Sequence, residues 1–366
     1  MMKRNEYVPQ TVSHPGATLR EKLEELGMSQ KEFAVRTGKP EQTIVKVLNG
    51  DSSLTPDMAV QFETVLGIPA KFWLNRQQNY DEAVAREKRN KLLAASVPWA
   101  SMFPFKEMAE FGWVTKTHVH EERAGILLSF FSVFSPDAWE EYYLSQKLKV
   151  SFRISIAQYS EPYAISAWLR QGELQAMQLD SPAFNRKKFS DNLEAVKKIM
   201  AEHPDDFFRQ LQNICLDAGV RVVYTPCLPK APIHGSTRWL HDDKPLIQLS
   251  ARYKQNDRFW FTFFHEAGHI LHHGKKYISI DCEKACVSRD EKEQEADDFA
   301  IQWTFSEEEE REVLEFGSLK MQDILDFAQK FGTHPAMIIG RFHHKQILPY
   351  SRGRKFIKPV HLGECD

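Results

Sequence analysis

Along the first eighty residues, apolar side chains return every three or four positions in short runs, each closed by a glycine and reopened by a capping residue. Leu19, Leu23 and Leu26 line one face of a helix over Thr18 to Leu26, ended by Gly27. Ser29-Gln30-Lys31-Glu32 is an S-x-x-E capping box, opening a helix that buries Phe33 and Ala34 and stops at Thr37-Gly38. A third helix over Pro40 to Leu48 puts Ile44, Val47 and Leu48 on one side and ends at Asn49-Gly50. Thr55-Pro56 announces a fourth, and a fifth is expected around Ala70 to Gln78. Two short helices joined by a tight glycine-containing turn inside such a bundle predict a helix-turn-helix domain over residues 1–80.

From 81 to about 205 the helical spacing continues with many aromatics, among them Trp99, Phe103, Phe131, Trp139, Tyr143 and Trp168. They recur without interleaved basic residues, so they read as core and not as a base-stacking platform, and the segment reads as an all-helical spacer. The run Arg86 to Lys91 reads as a solvated helix face. Beyond 205, Val220 to Tyr224, Ile233 to Trp239 and Pro245 to Ser250 are short runs expected to form strands. Helices then return to about Phe342, before a basic tail. The predicted fold is multidomain: an all-α helix-turn-helix domain, an all-α middle segment and an α+β domain with a small sheet over residues 206–366.

The 366 residues are 42% hydrophobic and 12% aromatic, which excludes disorder as the main state. A net charge of −2 gives no whole-chain attraction to nucleic acid or acidic membrane. No stretch approaches the ~20 apolar residues of a membrane span, and a cytoplasmic protein is expected. The five cysteines are odd in number and scattered, so structural disulfides are not expected, and Cys282 and Cys286 read as ordinary thiols.

The sharpest signal is His265-Glu266-Ala267-Gly268-His269, an H-E-x-x-H motif in a stretch from Phe259 to Ile270 that is nearly all apolar. One helical turn separates His265 from His269, so both imidazoles can face one metal, while Glu266 is offset beside it. Asp257 can cap this helix, and Gly268 in its interior predicts the close approach of another backbone. A third ligand is expected from 292–300, where Glu293, Ala296, Asp297 and Ala300 share a face and the alanines permit close packing. Glu293 is favoured as the ligand, with Glu295 the alternative, and Asp297 as the acceptor that orients a ligating imidazole. Ser306 to Glu310 reads as a capped helix start.

The string Phe-Thr-Phe-Phe-His-Glu-Ala-Gly-His-Ile-Leu-His-His, followed by Glu-Gln-Glu-Ala-Asp-Asp-Phe-Ala, resembles the ImmA/IrrE family of zinc metallopeptidases. Gly235 to Trp239 and Ile247 to Ser250 are similar to that family too. His14-Pro15-Gly16-Ala17 through Asn49-Gly50, with Phe72-Trp73-Leu74, resembles the HigA-type antidote branch of lambda-repressor-like (XRE) DNA-binding domains. One departure is local: Ile301 to Phe305 stands where the family has leucine pairs and a proline.

The resemblance implies a zincin-like domain in which His265, His269 and Glu293 hold Zn2+ and Glu266 passes a proton from water to the departing amine. It also implies a substrate laid along the strand Ile247 to Ser250. His234, His272, His273 and Tyr277 are all candidate oxyanion partners, and capping the helix end is an equal reading of His273.

In helix-turn-helix domains the second helix of the pair enters the major groove, which nominates Glu41, Gln42, Thr43 and Lys46 for bases and Gln30 for the backbone. Residues 1–80 carry ten Lys or Arg against nine Asp or Glu, a balance that also fits a domain gripping a protein partner. The expected function is a zinc endopeptidase with a DNA-binding domain, cleaving a repressor or antitoxin-like protein and acting at an operator, with a homodimer the ordinary expectation and no membrane partner. The alternative is a transcriptional regulator or antitoxin whose zinc site is sensory or structural.

Overall fold

A computed structural model describes residues 12–146, 161–229, 231, 233–240, 243–250, 252, 254–275, 279–282, 291–317, 320–360 and 362. The chain divides into two compact units, Met1–Ala95 and Ser96–Asp366.

In the first unit, α1 (Pro15–Glu25) starts before the expected Thr18, because the His14 ring accepts the Gly16 N–H at 3.0 Å and Pro15 preforms the first turn. After it come α2 (Gln30–Thr37), α3 (Glu41–Asn49) and α4 (Pro56–Leu66). Ser29 and Thr55 cap α2 and α4, while Gly38, Gly50 and Gly67 end their helices in the left-handed conformation. Their inner faces bury Leu19, Phe33, Ile44, Val47 and Phe62 completely, together with Trp73 of α5. Gly16 is required here: a Cβ on it would stand 2.0 Å from the Val47 carbonyl oxygen, so α1 could not lie against α3.

Helix α5 (Ala70–Ala95) runs far past the expected Gln78. Neither glycine nor proline interrupts it, and Glu82–Arg86 and Glu87–Lys91 ion pairs at i,i+4 spacing support its exposed second half.

The second unit begins with short helices, α6 (Val97–Ala100), α7 (Phe105–Glu110), α8 (His120–Phe130) and α9 (Pro136–Trp139), the last passing into π-helical turns over Glu140–Gln146. Their aromatics form a core as expected, with Trp139 stacked on Tyr163 at 5.0 Å. α10 (Pro162–Met177) is bonded to the sheet that follows: Trp168 Nε1 donates to the Thr225 carbonyl, and Gln248 Nε2 donates to that of Trp168. α11 (Arg186–Glu202) and α12 (Phe207–Asp217) contribute Phe189, Leu193, Met200 and Leu211 to the same buried cluster as the sheet.

Strands β1 (Arg221–Tyr224), β2 (Ile233–Trp239) and β3 (Pro245–Leu249) form where the apolar runs predicted them. The short β4 (Ser279–Cys282), unmarked by any alternation, joins them in the order β1-β3-β2-β4. β1 pairs parallel with β3, and β2 pairs antiparallel with both β3 and β4. The expectation that Ile247 to Ser250 offers an open edge is therefore corrected: β3 is interior, its hydrogen bonds satisfied on both sides.

Helix α13 (Asn256–His272) packs on β2 and β3 and is buried along nearly its whole length. Its N-cap is Gln255, not Asp257, which lies in the first turn; Asn256 instead ties the C-terminal segment down by accepting from the Lys358 N–H and donating to the Phe356 carbonyl. α14 (Glu291–Thr304), α15 (Glu307–Glu315), α16 (Met321–Phe331) and α17 (Pro335–His344) complete the unit. The Ser306–Glu309 capping box forms in full at α15. No helix among the described residues is long and apolar enough to cross a membrane.

Candidate metal centre

Two helices build the site. α13 supplies His265, Glu266 and His269, all buried; α14 crosses it closely at Gly268, whose missing Cβ would lie 3.2 Å from Phe299 and 3.3 Å from the Ala296 Cα. Ala296 and Ala300, fully buried, form the flat face that allows this approach. The residues 301–305 that depart from the family pattern serve the packing, with the Trp303 ring stacked on Phe264 at 5.8 Å.

His265 Nε2 lies 3.2 Å and His269 Nε2 3.6 Å from the Glu293 carboxylate, and the two Nε2 atoms are 3.0 Å apart. Among the described residues, His265, His269 and Glu293 are the cluster whose donor atoms all fall within 4.8 Å of one another. Each imidazole is held from behind: His265 Nδ1 is 2.9 Å from Asp297 Oδ1, and His269 Nδ1 is 2.7 Å from His273 Nδ1. His273 Nε2 in turn meets Glu295 Oε2 at 2.9 Å, so Glu295 stands behind His269 and not in the cluster. His273 also ends α13, its N–H donating to the His269 carbonyl.

Burial pushes His269 down to about 4, against the opposing effect of its hydrogen bond to the Glu293 carboxylate. Burial alone would raise the Glu293 carboxyl, but hydrogen bonds and attraction from both histidines together outweigh it and hold it far below the ordinary carboxylate range. The cluster is thus a neutral imidazole beside a carboxylate, the protonation state that donates lone pairs to a cation.

Glu266 lies on the sheet side, its carbonyl accepting from Thr237 Oγ1 at 3.0 Å. A Cβ at Gly235 would stand 2.7 Å from Glu266 Oε1 and 2.7 Å from Thr262 Cγ2. Gly235 therefore makes room for the carboxylate. A glycine inside a strand is the sequence signal of such an approach.

Of the candidate oxyanion partners, His234 lies on β2 beside Gly235, and the exposed His272 packs on Phe299 at 5.3 Å. Tyr277 falls outside the described residues, as do Cys286 and the side chain of Cys282. In the first unit, Glu41, Gln42 and Lys46 are exposed and Thr43 half-buried on α3, with Gln30 exposed at the start of α2.

Residues 19–73 match the helix-turn-helix family, and residues 215–343 match the IrrE N-terminal-like domain, family M78 of the peptidases. An uncharacterised HTH-type transcriptional regulator, YddM of Escherichia coli, is 36% identical over 73 residues, spanning 20% of this chain and 78% of the relative. A putative antidote protein of a plasmid maintenance system from Nostoc punctiforme is 34% identical, over 22% of this chain and 87% of that one, with a TM-score of 0.21. A HigA-family addiction module antidote protein from Coxiella burnetii is 33% identical, over 24% of this chain and 95% of that one, with a TM-score of 0.23. The H-E-x-x-H helix, the sheet beneath it and the helix bearing Glu293 all fall inside the second matched stretch, and helices α2 and α3 inside the first. The chain accordingly belongs to the helix-turn-helix family through its first unit, and residues 215–343 of its second match the IrrE N-terminal-like domain.

Proposed function

We propose that the protein is a zinc-dependent endopeptidase carrying its own DNA-binding domain, and that it cleaves a regulatory protein of the repressor or antitoxin class in the cytoplasm. The observation that carries this reading is the meeting of two imidazole nitrogens and one carboxylate within 4.8 Å, beside a buried glutamate that a strand glycine leaves room for. This donor set fits a divalent ion, since His₂Glu is one of the ligand sets of catalytic zinc. His265, His269 and Glu293 would hold the ion, with Asp297 fixing the tautomer of His265 and His273 that of His269. When bound, zinc supplies Lewis acidity, polarising a carbonyl and acidifying water.

The rest belongs to the chain. Glu266 takes the proton of the attacking water on its carboxylate and delivers it to the amine as the peptide bond breaks. An extended substrate adds to the sheet at β4, the edge next to β2, where main-chain groups bind it irrespective of sequence. On DNA, α3 lies in the major groove with Gln42 reading adenine and Lys46 near phosphate, in keeping with the regulator class of the Escherichia coli relative.

The test is Glu266→Gln. Mass spectrometry of candidate regulators incubated with the zinc-loaded protein should show cleavage by the parent and none by the variant, with metal content and operator binding retained. Unchanged regulation by the variant in cells would instead establish a sensory or structural zinc site. Gln42→Ala should relax operator selectivity and Lys46→Ala weaken binding across sequences, reducing the salt slope by about one.

A further inference from the structure

A cavity of about 230 Å³ opens where α6 and α7 meet the start of α8, among helices that give no residue to the metal centre. Its floor is aromatic, with Phe103 and Phe105 both buried. Its wall is ionic: Glu107 of α7 lines it on one side, and His120 and Arg123 line it from α8. Lys106 stands at the mouth, its side chain 82% exposed and 3.8 Å from Glu110.

Arg123 is held in place without being neutralised. Its Nε donates to the Thr117 carbonyl at 3.2 Å, and its guanidinium carbon lies 5.5 Å from the centre of the Phe105 ring. These contacts fix the direction of the fork and leave its two terminal nitrogens for another acceptor. The acids in the first turn of α8 are turned to other tasks: Glu122 accepts from Thr117 Oγ1, and Glu121 is exposed. Every residue of α6, α7, α8 and their connections is described, and among the described residues neither Arg123 nor Glu107 enters an ion pair. Two side chains of opposite charge therefore border one cavity without closing on each other.

Such a wall selects by charge as well as by shape. A ligand carrying only a carboxylate would be repelled by Glu107, and one carrying only an amine would be repelled by Arg123. A molecule with both groups satisfies the two at once, and an apolar remainder suits the aromatic floor. Pockets for drug-sized ligands run to about 300–1,000 Å³, so the occupant is smaller than these.

We infer that the cavity binds a free amino acid with an apolar side chain. The carboxylate lies on the Arg123 fork beside His120, the ammonium on Glu107, and the side chain on Phe103 and Phe105. The site needs neither zinc nor peptide-bond cleavage, and so is independent of the function proposed above.

Isothermal titration of the full-length protein compares leucine, phenylalanine and aspartate with two leucine analogues: leucinamide, which lacks the carboxylate, and N-acetylleucine, which lacks the ammonium. Leucine or phenylalanine should bind at least about tenfold tighter than aspartate, and leucine at least about tenfold tighter than either analogue, since each analogue gives up one charge-assisted hydrogen bond. Arg123→Gln should erase the preference for leucine over leucinamide and keep that over N-acetylleucine. Glu107→Gln should do the reverse, with melting temperatures showing both variants folded. The absence of binding by leucine and phenylalanine at about 10 mM overturns the proposal. Equal binding of leucine and leucinamide, equal binding of aspartate, or preferences unchanged in both variants would overturn it as well.

Discussion

Glu293 and Glu295 lie two residues apart on α14, and zinc affinity should separate them sharply. Glu293→Gln keeps the side-chain shape and removes the charge. Unit charges 4 Å apart interact by about 4 kcal/mol at an effective dielectric of 20, and a divalent ion doubles that. The side chain of Glu293 is 36% exposed, so solvent screening cuts the gain by half or more. A net loss of about 3–4 kcal/mol corresponds to a Kd raised about 10²- to 10³-fold.

Glu295, 62% exposed, reaches the cluster only through His273 and then His269. Outer partners of this kind cost at most about 10–100-fold, and an exposed one should cost less than about tenfold. Competition against a fluorescent zinc indicator at constant pH and ionic strength measures both, with melting temperatures confirming folded apo proteins. A loss in Glu295→Gln equal to or greater than that in Glu293→Gln would refute the assignment, as would retention of affinity within about tenfold by Glu293→Gln.

Gly235→Ala should strike the chemistry and spare the metal: its Cβ would force the Glu266 carboxylate aside from 2.7 Å, and a displacement approaching 1 Å costs up to about 10²-fold in kcat. Zinc stoichiometry lost along with activity would count against this. Glu310, buried between Arg341 Nε and Lys345 Nζ at 2.6 Å each, should cost about 3 kcal/mol when changed to Ala, because Arg341, its side chain only 13% exposed, is left without its partner. A change below about 1 kcal/mol in urea unfolding would contradict that.

Burial, with the nearby His203 and Lys358, holds His334 down to about 4, below its ordinary 6.5. The unfolded chain therefore takes up this proton first. Stability is full above about pH 6.5 and falls toward pH 4, by on the order of 2–3 kcal/mol. His334 caps α17 by accepting the Ala336 N–H, and His334→Asn keeps a capping oxygen while removing the titration. Urea midpoints between pH 7 and 4.5 should slope less in that variant, and an identical slope would show that other groups carry the acid sensitivity.

Much of this molecule is written locally. Ser29, Thr55 and Ser306 cap their helices, Gly27, Gly38 and Gly50 end theirs, and the four-residue interval from His265 to His269 places both imidazoles on one side of α13. These features depend on neighbours within one turn, so the order of residues suffices to determine them. Gly268 announced a close neighbour, and the alanine face of 293–300 named which helix that was, because small side chains have one use at such a crossing.

What required tertiary structure depends on distant segments. The place of β3 between β1 and β2 follows from a parallel pairing, and β2 is interior only because of β4, too short to show a pattern. The continuation of α5 to Ala95 reflects the absence of a stop signal, a weaker cue than its presence. Glu295 and His273 looked like rivals for the metal and the oxyanion, yet they form a chain behind His269 only because α14 crosses α13 at one particular height. The contact of Gly235 with Glu266 likewise exists only once the sheet fixes the place of β2 against α13. A pairing register is a property of two segments at once, and no periodicity along either one contains it.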